Sequence, residues 1–399
     1  MLPKLQYYAT QWVNGMKVTE GHLVNQENFF ADQLRDHLAL HLTDFNYGLA
    51  PASPGHPSLE IEVNAEWIEV NACRAVTGGG RRIEVWPGEA KELRMPTRQL
   101  LGNGPIPDAS AWYVVLKVNP FERVPAGVVN PQESPLRHPH TRPACALDVI
   151  PADRVAPAEF GSAGLPLAKI QGSRGGLKVV EEYIPPCMRT DSHPDLLRHH
   201  REFGNRLQRM HEEAFEVVDR LHQQRAAEGT LNPLAQDISR LIEQLVLFLA
   251  AHRDPYRLSL PQQAPLAMIE MFVRFARTLY ATLRLLHDRE TFYEYCRKYL
   301  TITPGEWDLP LTDLTYNHLE IKDSLDQVSA FLDLVEGRFL RRLSGLRTYT
   351  LTPDKPEVYD PVRKVRIPVP PADAPDRPDG SRKAAEGSWF KSLRSFSVL

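Results

Sequence analysis

The residues best suited to chemistry lie far apart and in incomplete sets. His211 to Phe215 reads HEEAF. This is the opening of the HExxH helix, in which two histidines one turn apart hold zinc and the glutamate between them activates water. Phe215 stands where the second histidine belongs, so a metal there would lack that ligand. Cys187, His193 and His199 carry donor atoms, but their spacing matches no closed metal site, and a metal needs three or four ligands with further groups behind them to orient them. His138, His140 and Cys145 in HPHTRPAC share that weakness, and Pro135, Pro139 and Pro143 make a surface loop the expected setting. The triple glycine Gly78 to Gly80 has the backbone freedom to wrap a phosphate, yet no Lys-Ser/Thr pair follows and no helix pattern opens there. A hairpin connection fits it better. Glu212, Glu213 and Glu216 read as the solvated face of a helix. No GxSxG elbow, Walker loop or dinucleotide fingerprint occurs. The chain is therefore expected not to be an enzyme, and to carry no cofactor and no metal.

The frame that holds these residues is legible in composition and period. At 399 residues and 42% hydrophobic content, the chain is long enough for two or three domains with cores of their own. Its 47 Lys and Arg against 50 Asp and Glu give a formal charge of −3, which excludes the one-sided charge of a nucleic-acid binder. Cys73, Cys145, Cys187 and Cys296 form no CxxC pair and read as reduced structural thiols. The opening MLPKLQYYATQWV lacks the apolar stretch and cleavage site of an export signal. The longest apolar run, Leu245 to Ala251, falls far short of the roughly 20 residues that cross a bilayer. A cytoplasmic location without a membrane span is expected.

The fold class expected is multidomain α+β. Residues 1–190 should form an antiparallel β-sandwich with a leading helix, 191–345 a helical bundle, and 346–399 a short Pro-rich C-terminal region. Leu59 to Val63 and Arg82 to Trp86 alternate apolar and charged residues, the period of strands with one wet face. Trp112 to Val118 reads as a central strand, and Leu165 to Ile170 with Leu177 to Ile184 complete the set. From Pro194 the period changes: Leu196, His200, Phe203, Leu207, Met210, Ala214, Val217 and Leu221 follow spacings of four and three, which keep one face of a helix toward a partner. A second apolar stripe starts after Asn232–Pro233 and is expected to end at Asp254–Pro255; a third opens near Pro265. Ile321, Leu325, Val328, Leu332, Val335 and Phe339 repeat the four-three spacing. Such seams serve equally as an intramolecular core or as a self-associating axis built on Phe203, Leu207, Ile321, Leu325, Val328 and Leu332.

Past Gly345 the segment from Tyr349 to Pro371 could pair two short strands, whereas 371–387 has too little apolar surface to order and reads as a linker. It leads to SWFKSLRSFSVL, where Trp389, Leu393 and Phe396 fall on one helical face, as in peptides that dock in a partner's groove.

The stretch WVNGMKVTEGHLVNQENFF resembles the N-terminal signature W-x-E-G-M-x-L-x-P-Q-H-F-Q of the type VI secretion baseplate family TssK, also called ImpJ or VasE. Trp12, Gly15, Met16 and His22 match, while Asn14, Glu20–Gly21 and Leu23 depart from it. Tyr47 to Leu49, LPLAKI, and EEYIPPCMRTDSHPDLL at 181–197 resemble further family segments in the same order. The resemblance implies a non-enzymatic trimeric adaptor. Its N-terminal shoulder, similar to that of phage receptor-binding proteins, would bind the wedge subunits TssF and TssG. A C-terminal head would contact the inner-membrane complex from the cytoplasmic side. Partner contacts are then expected at Trp12, Gly15, Met16 and His22, with Ile184, Pro185 and Pro186 stiffening the junction between sandwich and bundle. The family's head is a folded domain longer than the residues after 345, so docking at that end is expected from Trp389, Leu393 and Phe396 instead. Two alternatives remain: a phage-like tail or receptor-binding component, and a hydrolase with its site in the sandwich loops.

Overall fold

The computed structural model describes residues 4–350, except 65, 88–92, 98, 100–109, 155–159, 161–162, 174–175 and 309, together with 351, 357–360 and 365–368. The described residues up to Thr350 belong to one unit, and those from Leu351 on to a second.

After an extended lead comes helix α1, Glu20–Ala39. The first sheet gathers β1 (Gly48–Leu49), β2 (Leu59–Val63), β4 (Arg82–Val85) and β5 (Arg94–Pro96) on the long strand β3 (Trp67–Val76), all antiparallel. β2 covers the alternating stretch expected of it, and Gly78 to Gly80 connect β3 to β4 with Thr77 N–H donating to Arg81 O at 2.9 Å. The second sheet has the order β7-β6-β8-β9, with β6 at Ala111–Ala126, β7 at His140–Pro151, β8 at Gly164–Ser173 and β9 at Gly176–Val179. β6 is the central strand its composition suggests, and its two faces go to different cores. Val114 packs with Ile68, Ala168 and Ile170 between the sheets, whereas Tyr113 and Val115 pack with Phe160, Tyr183 and Leu319 on the far side.

Two expectations change here. The prolines before Cys145 suggest a loop, but His140 already pairs with Ala126. β7 lies at the sheet's edge, where a residue without an N–H costs no inner hydrogen bond, so Pro143 is tolerated. Conversely, the last strand stops at Val179, and Tyr183 leaves the sheet to enter the cluster around Tyr113.

The helical half holds α2 (Pro194–Glu228), α3 (Pro233–Leu258), α4 (Pro265–Arg284), α5 (Arg289–Tyr295) and α6 (Ile321–Leu332); α6 runs on through a π-helical stretch, Asp333–Leu340. Asp254–Pro255 does not end α3: Tyr256 is buried, stacks on His200 at 4.5 Å, and donates its hydroxyl to His200 O at 3.0 Å. That anchor outweighs the hydrogen bond lost at proline so near the helix end. Both four-three seams face inward. Phe203, Leu207, Ile321, Leu325, Val328 and Leu332 are all buried in the chain's own bundle, with Phe203 edge-on to Phe272 at 5.4 Å. They are thus engaged within the chain's own bundle. Among the described residues no helix is long and apolar enough to cross a membrane.

Sandwich and bundle meet at a dense junction. Ile184, Pro185 and Pro186 are buried, and Leu49 N–H donates to Pro186 O at 2.7 Å while Met188 N–H donates to Leu49 O at 2.9 Å. Gly48, at φ +113°, permits this approach: a Cβ there would stand 2.0 Å from Pro186 O. His318 closes the junction, donating from Nε2 to Tyr47 O at 2.9 Å and accepting from the Tyr316 hydroxyl at Nδ1, 2.8 Å away. In the second unit, β10 (Glu357–Asp360) pairs antiparallel with β11 (Val365–Pro368), the two short strands expected there. The linker 371–387 and Trp389, Leu393 and Phe396 lie outside the described residues.

Burial pushes the His318 imidazole down to about 4 from its ordinary 6.5, although its bond to Tyr47 opposes this. The unfolded chain therefore binds a proton that the folded chain refuses. The neutral ring contributes stability above pH 6.5 that is lost as pH falls toward 4, roughly 3 kcal/mol in all. His318→Gln should keep the two hydrogen bonds and lose less stability than wild type between neutral pH and about pH 4 in denaturant titrations.

Candidate protein-interaction surface

The N-terminal lead and α1 form a surface whose sidedness reverses the usual rule. On α1 the residues turned into the protein are Asn28, Asp32, Arg35 and Ala39, and Asp32 is only 1% exposed. The residues turned out include Leu23, Phe30 and Leu34, the last 71% exposed. The physical cause lies in what the polar face meets. Asp32 accepts from the backbone amides of Gln6 and Tyr7, the latter at 3.2 Å, and from Arg35 Nη2 at 2.8 Å. Arg123 on β6 pairs with Glu27 and donates to Asn28 Oδ1 at 2.8 Å. The hairpin after β3 completes the seat: a Cβ on Gly80 would lie 2.6 Å from Arg35 O, so only glycine lets the helix settle there.

Burial alone would raise the Asp32 carboxyl, but the amides of Gln6 and Tyr7 and the Arg35 guanidinium more than offset it and hold it below the usual carboxylate value. Arg81, which burial and Arg35 push downward, is also supported by the Asp32 charge and lies 5.2 Å from the Phe121 ring.

The lead runs back along α1, laced mostly through its backbone. Asn25 Nδ2 donates to Tyr8 O at 3.1 Å, Thr10 N–H donates to Gln26 Oε1 at 3.4 Å, and Tyr7 packs on Phe121 at 4.6 Å. The lead then turns at Gly15, where Met16 N–H donates to Val13 O at 3.2 Å. His22 acts locally, since its Nδ1 accepts from Thr19 N–H at 3.3 Å, capping α1, and its ring meets the Trp12 edge at 6.0 Å. Trp12 itself is 48% exposed, with Tyr8, Val13 and Val18 also open to solvent, and Met16 is half-buried.

Trp12, Gly15 and Met16 thus lie in the turn of the lead, and His22, in the first turn of α1, meets the Trp12 ring. Sequence reasoning singled out these four and missed Leu23, Phe30 and Leu34, as well as the Asp32–Arg35 anchor. The spacing of Asn28, Asp32 and Arg35 on one face was available as a signal, but period alone does not say which face points inward.

The residues suited to chemistry do not converge. Among the described residues no three His, Cys, Asp or Glu side chains are placed to hold a metal. Cys187 Sγ donates to Pro185 O at 3.2 Å, His193 caps α2 by accepting from Asp195 N–H at 3.3 Å, and His199 packs on Phe203 at 5.6 Å. His211 packs against Phe215 at 4.7 Å.

A crystal structure of TssK matches this chain with a TM-score of 0.50 at 14% identity, over 83% of this chain and 69% of that one. The fold is similar to that of TssK. A TssK-TssF-TssG baseplate subcomplex from cryo-electron microscopy gives a TM-score of 0.44 at 14% identity, covering 86% of this chain and 100% of the other. TssK from the type VI secretion system of EAEC, bound to a nanobody, gives 0.43 at 13% identity, covering 78% and 95%. Only the first supports the fold, and at this identity it speaks for the fold alone. Neither a family model nor a curated protein matches the chain.

Asp32→Ala would leave buried guanidinium groups without their carboxylate and free the lead's amides. A stability loss of about 3 kcal/mol is expected in denaturant titrations, with faster proteolysis before Thr19. Because the folded carboxyl is depressed, its contribution holds above pH 3.8 and is lost as pH falls below that in wild type.

Proposed function

We propose that this chain is a non-enzymatic structural adaptor of a type VI secretion baseplate, working as a homotrimer at the cytoplasmic face of the inner membrane. In this reading the turn around Trp12, Gly15, Met16 and His22 contacts the wedge subunits TssF and TssG, and the segment around Trp389, Leu393 and Phe396 contacts the membrane complex. The boundaries 1–190, 191–345 and 346–399 belong to the same reading. The observation that carries it is the group of exposed apolar side chains on the lead and its turn, Tyr8, Trp12, Val13 and Val18, held on a laced and capped backbone. Large apolar side chains held in place and open to water are what interface centres use. The TssK-like fold and the opening motif add to it.

A hydrolase would need a nucleophile and a base in one cleft. A cavity of about 230 Å³ between the two sheets has Arg82, Glu84, Arg142 and Cys145 in its lining. Burial raises the Cys145 thiol, so that sulfur stays protonated and a poor nucleophile.

Co-purification with TssF and TssG from the same system tests the reading. Trp12→Ala and Val18→Glu should each weaken capture roughly thirtyfold, the size of an interface-centre truncation of about 2 kcal/mol, with unchanged thermal melting. Capture of neither subunit by the wild-type chain would overturn it.

A further inference from the structure

Where α2 passes the end of α3, the two helices leave a cleft of about 420 Å³ between them. Its floor is a locked pair of rings. His200 donates from Nε2 to Tyr256 O at 2.9 Å, the Tyr256 hydroxyl returns a bond to His200 O, and both residues are buried. Gly204 keeps the space above them open: glycine weakens a helix interior, but a Cβ here would stand 3.3 Å from Tyr256 Cε1. On the walls stand Arg201, Arg253 and Arg257, and among the described residues the one carboxylate in the lining is Asp254. We propose that this cleft binds a small soluble phosphate monoester, its phosphoryl group held among the three guanidinium groups.

The chain's own acids leave these cations largely unanswered. Among the described residues the Arg201 side chain makes no ion pair or hydrogen bond, and Arg253 donates to Gln208 Oε1 at 3.0 Å and His211 Nδ1 at 3.4 Å, neither of which carries negative charge. Arg257 meets Asp254 at 3.7 Å, but both side chains are largely exposed, and such a pair contributes little. Elsewhere on α2, Arg206 and Arg209 are matched by Asp333 and Glu336. Three cations against one carboxylate leave two positive charges in the lining, the complement of a phosphoryl group near neutral pH, and guanidinium forks fit its oxygens. His200 adds a further requirement. Its Nε2 carries the proton given to Tyr256 O, so in the neutral ring Nδ1 is an acceptor, and among the described residues it has no partner. A hydroxyl on the carbon chain of the ester would fill it. A recess with a buried floor suits such a compact ligand better than an extended acidic peptide.

Isothermal titration calorimetry of the full chain with glycerol 3-phosphate, in chloride buffer of constant ionic strength, tests this independently of any baseplate partner. Wild type should bind one molecule per chain with a Kd below about 1 mM. Arg201→Gln, Arg253→Gln and Arg257→Gln should each weaken binding about tenfold, with unchanged circular dichroism melts. Arg274→Gln, at an exposed position on α4, should bind as wild type. Weaker or unsaturable binding by wild type would overturn the inference. So would full-strength binding by the three cleft variants, or an equal loss in Arg274→Gln.

Discussion

Asp32 and Arg35 sit beneath the first helix almost out of reach of water, and the surrounding structure is arranged around keeping them satisfied. Taking two charges out of solvent costs several kcal/mol each unless their hydrogen bonds are met, so every group that meets them is held in place in turn. The lead must stay extended to present the Gln6 and Tyr7 amides, and β6 must offer Arg123 to Asn28. A helix has two faces, and this one commits its polar face to the protein. Its leucines and phenylalanine therefore have only solvent or another molecule to meet. The exposed apolar surface is in this sense a consequence of the buried pair.

The same logic of a committed polar group joins sandwich to bundle. Glu320, at the start of α6, takes the Tyr113 hydroxyl of β6 and Lys169 of β8, the lysine at 2.8 Å. Close by, His318 bridges Tyr47 O and the Tyr316 hydroxyl, while Pro186 O receives Leu49 N–H. Strands, loop and helix start are thereby tied at points distant in sequence. The proposed adaptor role would need such a rigid joint, since a loose one would dissipate any force passed through it.

How much of this was legible beforehand depended on which physical signal carried it. The alternation in Leu59 to Val63 and the apolar run around Val114 located their strands because a period of two reflects burial directly. The four-three spacing on α2 and α6 located the helices but left open whether the partner helix belonged to the same chain; burial of Phe203 and Ile321 answers that. Pro143 and Pro255 misled, because proline's cost depends on an edge position and a helix end that tertiary structure determines. On α1 the spacing of Asn28, Asp32 and Arg35 was available, but spacing alone does not say which face turns inward. Asp32 owes its burial to residues 26 and 25 positions away, which no local reading connects.

The central claim is that α1 faces the protein with its charges and the outside with its apolar seam. Hydroxyl-radical footprinting of the full chain in dilute solution measures this directly. The account predicts rapid oxidation of Phe30 and Leu34 in the dilute chain. Shielding of both residues already in the dilute chain would mean that the helix turns its apolar side inward, and would contradict it.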